Sequence, residues 1–241
     1  MAKFWLSLYC LVAGYCSATP YQVVVNHAPP YRIIDNGNFS GIYIDIIKAA
    51  ALEAGIELTF TNVPFKRALL YMQTGKADIM LGPNRTPERE RFMYYIEETP
   101  LPRENKAFYV RNATHCIDNY EGLYGKSIEV LIGATYFDRF DQDARILRSK
   151  TRSYNSAMKK VAIGRSDLLI MPERQGDLLN RREHFGLIKC AFKVSGKLSY
   201  ITISKQSADS HLRERLSNAL LAIEKKQIPE KIAERYIELL N

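Results

Sequence analysis

One stretch of punctuation occurs twice in this chain, and it constrains the fold more than any other feature. Gly75-Lys76-Ala77-Asp78-Ile79-Met80-Leu81 is echoed by Gly164-Arg165-Ser166-Asp167-Leu168-Leu169-Ile170. Each copy follows an amphipathic stretch with Ala near its centre (Phe65 to Gln73, Asn155 to Ala162) and leads into an apolar run. The interval exceeds a solenoid period, so the echo predicts two similar α/β lobes rather than an array. Helix and strand alternate around it. Tyr21 to Val25 reads as a strand ended by His27-Ala28-Pro29-Pro30. Tyr43, Ile46, Ile47, Ala50 and Ala54 recur at helical spacing and stop at Gly55, and Ile56 to Thr61 reads as a strand. Such alternation with short connections predicts an α/β fold with largely parallel sheets. Lys106 to Arg111 and Leu198 to Ser204 read as paired crossover strands flanking the second echo. The expected division is therefore 19–110 plus 198–241 as one lobe, with 111–197 inserted as the other. Two amphipathic helices, Leu212 to Lys225 and Ile228 to Leu240, end the chain.

The first residues predict export. Lys3 precedes a mostly apolar run from Phe4 to Val12, Gly14 breaks it, and Cys16-Ser17-Ala18 places small residues at −3 and −1 before Thr19-Pro20. The run is too short to span a bilayer, so residues 1–18 read as a signal peptide cleaved near Ala18, with Tyr15 arguing against a lipid anchor at Cys16. Of the four cysteines, Cys116 and Cys190 then remain, either as a disulfide in an oxidising compartment or as two buried thiols. His115-Cys116 has no second pair to complete a tetrahedral site, so no metal and no cofactor are expected. The formal charge of +8 favours an acidic partner. Its basic residues alternate with acids, as in Glu88-Arg89-Glu90-Arg91, which is the pattern of a solvated helix surface and not of a nucleic-acid stripe.

In order and spacing the chain resembles the family 3 extracellular solute-binding proteins, the periplasmic receptors of polar amino-acid ABC transporters. The resemblance rests on Pro30-Tyr31, Gly41-Ile42-Tyr43-Ile44-Asp45, Pro64-Phe65, Gly75-x-x-Asp78 and Thr86-Pro87-Glu88-Arg89 in the first lobe. In the second it rests on Leu123-x-Gly125-Lys126, Gly133-Ala134-Thr135-Tyr136 and Gly164-x-x-Asp167. It implies two α/β lobes joined by two strands and closing over a ligand, an inner-membrane permease as partner, and a monomer without catalysis.

The same positions can be read chemically. Thr86 suits an N-cap and Pro87 the first helical position, which puts Arg89 in a first turn just past a strand end, where α/β proteins bind anions. A guanidinium there can grip a carboxylate bidentately, and the resemblance implies that Arg89 takes the ligand's α-carboxylate. Its bland alternative is a surface pair with Glu88 or Glu90. Gly82 and Asn84 stand on the same loop, and Thr135 opens a second-lobe segment that can offer its N–H and hydroxyl. Phe65 and Tyr31 are cleft walls or core aromatics. Where amino-acid binders carry an acid for the ligand's ammonium, this chain has Pro172 followed by Glu173. Glu173 either serves with a one-residue shift or is an ordinary first-turn acid.

Two other classes compete. A cyclohexadienyl dehydratase-like enzyme of the same fold needs a general acid and base in the cleft, for which Glu173 and His27 are the candidates. A sensory protein would bind ligand without feeding a transporter.

Overall fold

A computed structural model describes residues 19–98, 101 and 104–238, with side chains through 236. The signal peptide expected over 1–18 lies outside the described residues. The chain begins with β1 (Tyr21–Val25), a hairpin of β2 (Ile33–Asp35) and β3 (Asn38–Ser40), α1 (Ile42–Ala54), β4 (Leu58–Asn62) and α2 (Phe65–Gln73). It continues with β5 (Ile79–Asn84), α3 (Pro87–Glu90) and β6 (Met93–Tyr95). A second unit holds β7 (Asn105–Val110), β8 (Ser127–Leu131), α4 (Asp138–Gln142), β9 (Leu147–Thr151), α5 (Tyr154–Ala162), β10 (Leu168–Pro172), α6 (Glu173–Arg182) and β11 (Ile188–Ser195). The tail comprises β12 (Ser199–Ser204), α7 (Leu212–Lys225) and α8 (Ile228–Glu238).

Two five-stranded sheets result, ordered β4-β1-β5-β12-β6 and β11-β7-β10-β8-β9. In each, four strands point one way and one is reversed: β12 in the first and β7 in the second. The reversed strands are those by which the chain enters each sheet from the other. A chain leaving one lobe at the edge where its strands end enters the other lobe at the facing edge, and so runs against its new neighbours. The strand expected at 106–111 thus lies within the 19–110 span assigned to the first lobe, yet all its ladder bonds are to β10 and β11 of the second sheet. Strand propensity marks a strand and is silent on its partner.

The sequence echo is a structural one. Gly75 and Gly164 both take left-handed backbone, with φ of 69° and 75°. Each following aspartate ties its strand to a parallel neighbour. Asp78 Oδ2 accepts the Gln22 N–H at 2.9 Å from β1, and Asp167 Oδ2 accepts the Ser127 N–H at 2.7 Å from β8. The same device therefore sets strand register in both lobes. In α1, Ile42, Ile46, Ile47 and Ala50 are buried, and Gly55 ends the helix in the left-handed conformation, donating back to Ala51 and Leu52.

One apolar cluster packs α1, α7 and α8 on the first sheet, and another fills the second lobe around Phe108, Ile128 and Phe140. A third draws on both sheets, joining Val24, Phe65 and Met80 to Tyr109, Tyr154 and Leu169. Cys116 and Cys190 form a disulfide, their Cα atoms 5.3 Å apart and 74 residues apart in sequence. Closing so long a loop should stabilise by about 4 kcal/mol through the unfolded chain. The double variant Cys116→Ala/Cys190→Ala is expected to lose a comparable amount in urea denaturation. An unchanged midpoint would show that the bridge contributes nothing to stability.

Candidate functional site

The strand ends of the two sheets face each other, and the functional side chains lie on the segments that leave them. After β5, the Thr86 hydroxyl caps α3 by accepting the Arg89 N–H at 3.3 Å, with Pro87 at the first helical position. This local geometry sends Arg89 inward, where it is only 4% exposed. Its Nη1 donates to the Asn84 carbonyl at 2.8 Å, and its Nη2 crosses to the Gly133 carbonyl of the second lobe at 2.6 Å. The guanidinium carbon lies 5.6 Å from the centre of the Phe65 ring. Burial lowers its pKa. A second bond spans the lobes: the Thr135 hydroxyl donates to Asn84 Oδ1 at 3.3 Å, while Asn84 Nδ2 donates to the Leu198 carbonyl at 2.9 Å.

Beside this bridge lies a cavity of about 70 Å³. Tyr31, Phe65, Gly82, Asn84 and Thr135, all expected from the sequence, line it together. Arg89 is not among the lining residues of this cavity; it touches two of them, Asn84 and Phe65, and itself lines two neighbouring grooves. Gly82 serves by its lack of a side chain. Its φ is 86°, and a Cβ there would meet Arg32 Nη1 at 2.3 Å. Gly82 is thus the floor on which the Arg32 guanidinium lies.

Glu173 is elsewhere. Its carboxylate receives Asn105 Nδ2 at 3.1 Å, Lys189 Nζ at 3.1 Å and Lys193 Nζ at 3.2 Å. Burial pushes its pKa up, but these bonds to the charged form outweigh it and hold the group below the ordinary carboxylate range. Its neighbours on the chain, Pro172 and Gln175, are the residues that reach the cavity. The one-residue shift turns the acid toward β7 and β11.

Several lining groups escape the sequence reading: Arg32, Tyr43, Glu104, Lys106, Tyr154 and Gln175. Glu104 is buried, accepts the Arg174 backbone N–H at 3.4 Å and pairs with Arg174 Nε at 3.4 Å. Burial raises its pKa. Lys106 opens β7 and is 6% exposed. Burial pushes its ammonium down to about 8, against the attraction of Glu104 and Asp141. A signal for it existed. Lys106 heads the run Ala107-Phe108-Tyr109-Val110, which is apolar on both faces, the mark of a strand covered on both sides.

Two mostly parallel sheets, exchanging one reversed strand each and sharing a cavity at their facing strand ends, define a two-lobed protein of the periplasmic-binding-protein type. The chain belongs to the bacterial extracellular solute-binding proteins, family 3, whose family model matches residues 22–239. It is similar to a probable amino-acid-binding protein, YxeM, of Bacillus subtilis (strain 168). The two are 21% identical over 215 residues, covering 86% of this chain and 79% of that protein. Among solved structures it is similar to an ancestral arginine-binding protein bound to arginine, with a TM-score of 0.78 and 25% identity over 90% of this chain and 97% of the other. A histidine kinase sensor domain with similarity to periplasmic binding proteins shares the fold at a TM-score of 0.77 and 19% identity, covering 90% and 95% of the two chains.

Proposed function

We propose that this chain is a periplasmic receptor that captures a small carboxylate-bearing solute of the amino-acid type between its two lobes and, as a monomer, presents it to an inner-membrane ABC permease. The lobes divide between β6 and β7 and between β11 and β12. One observation carries the reading: a cavity built jointly by the strand ends of both sheets, beside a buried arginine that bonds to each lobe. Arg89 lies where a carboxylate can replace the Gly133 carbonyl as its partner, with Asn84 and Thr135 beside it. Phe65 and Tyr31 form apolar walls. Glu173, the acid on which an enzymatic reading depends, is engaged by two lysines, and this favours binding over turnover.

The test is a thermal-shift screen of amino acids, their decarboxylated amines and their deaminated keto acids. A solute at a hundredfold excess over its Kd should stabilise by roughly 2.7 kcal/mol. Carboxylates should raise Tm, amines should not, and the bound solute should be recovered unchanged after long incubation. Stabilisation by the amines alone, or steady product formation, overturns the reading.

A further inference from the structure

We infer that the cavity selects a short solute with two carboxylates, such as an acidic amino acid or a small dicarboxylate, and that Lys106 and Arg32 hold the second carboxylate. The inference deepens the receptor reading and rests on it.

Two cationic side chains, each more than nine-tenths buried, stand on the cavity wall: Lys106 at 6% exposure and Arg32 at 8%. Neither makes an ion pair among the described residues, although Glu104 and Asp141 attract the Lys106 ammonium. Arg32 donates through Nε to the Asn26 carbonyl at 3.2 Å and through Nη1 to the Leu81 carbonyl at 3.1 Å, leaving Nη2 without a protein acceptor. The Lys106 ammonium makes no hydrogen bond or ion pair to any described residue. Glu104, the acid on the same wall, is already paired with Arg174. Buried ions are ordinarily paired, because an isolated charge in a low-dielectric site is strongly disfavoured. Here two buried cations share the cavity wall with a single buried acid, so positive charge is in excess.

The cavity is small, about 70 Å³, and its charge balance is positive. A basic solute would add a positive charge to a wall that sets Arg32 and Lys106 against one buried acid, Glu104, which is itself paired with Arg174. The depressed pKa of Lys106 comes from burial that the attraction of Glu104 and Asp141 does not offset.

The experiment is calorimetric titration of the ligand-free full-length mature protein with matched pairs: glutamate against glutamine, aspartate against asparagine, succinate against succinamate, and arginine as the basic arm. The acid of at least one pair should bind tenfold or more tightly than its amide, and arginine should bind more weakly than either. In Lys106→Met and Lys106→Gln, each checked for native circular dichroism, the ratio of acid to amide affinity should fall at least tenfold. Amides or arginine binding as tightly as the acids, or an unchanged ratio in both variants, overturns this inference and leaves the receptor reading standing. If no carboxylate of the panel binds, both fall together.

Discussion

Arg89→Ala should weaken solute binding by at least about 3 kcal/mol, a loss of roughly a hundredfold or more. The size follows from what the side chain touches. Its guanidinium satisfies the Asn84 carbonyl on one lobe and the Gly133 carbonyl on the other, at 2.8 and 2.6 Å, in a site that is 4% exposed. Truncation removes the bond that ties the lobes through Gly133 and the charge proposed to hold a carboxylate, and a hydrogen bond to a charged group is worth about 1.5–3 kcal/mol, while the Asn84 carbonyl keeps the Tyr95 hydroxyl at 3.2 Å. Two roles are then open to Arg89, and one comparison separates them. A residue that only bridges the lobes would, when removed, weaken every solute alike. A residue that grips the carboxylate would, when removed, erase the preference for amino acids over their decarboxylated amines. Arg89→Lys keeps the charge but loses the planar fork, and should recover only a minor part of the affinity. Calorimetry on the three proteins gives the answer, and undiminished binding by Arg89→Ala would remove the anchor from the proposed site.

What was legible beforehand was mostly what local chemistry decides. The two Gly-x-x-Asp segments could be matched because a left-handed glycine and an aspartate accepting a backbone N–H are short-range devices. Both perform the same task in the structure, on Gln22 and on Ser127. The Thr86 cap could be read for the same reason, and with it the inward course of Arg89. Tyr31, Phe65, Gly82, Asn84 and Thr135 converge on one cavity because each sits just past a strand end, and strand ends are where the two sheets meet.

The misses have a common cause, which is that burial and partner choice are tertiary. β7 reads as a strand from its composition, but nothing in its four apolar or aromatic residues says which sheet it joins. Glu173 was placed by counting along the chain, and one residue at the start of a helix is a rotation of about 100°. That rotation takes the acid away from the cavity and gives it to Lys189 and Lys193. Arg32 and Lys106 look like ordinary basic residues until the two lobes meet around them.

Lys106→Met should raise the stability of the ligand-free protein at pH 7 by between about 1 and 3 kcal/mol, or roughly 3–9 °C in Tm for a chain of this size. The reason is that the ammonium is buried without a bonded partner. Glu104, just before it on the chain, and Asp141, from α4, attract it, while Tyr31, Arg32 and Tyr154 share its cavity without neutralising it. Desolvation wins, and the folded-state pKa drops to about 8 from the 10.5 of a free lysine. The sign follows from proton counting. Between about pH 8 and 10.5 the unfolded chain binds the proton and the folded protein does not, so stability rises with pH through that window. Below pH 8 both states are charged and the folded one carries the full penalty, on the order of 3 kcal/mol. Above 10.5 both are neutral and the penalty is gone. Methionine has a comparable length and no charge, so the variant should be more stable than the parent at pH 7 and should lose that advantage progressively as pH rises through the window. Denaturant titrations of both proteins at several pH values from 7 to 10.5 measure this directly. A difference that is absent at pH 7, or that stays constant across the window, would mean that the Lys106 ammonium is solvated or paired after all. If instead the advantage appears and a bound diacid abolishes it, the same group destabilises the ligand-free protein and attracts the solute.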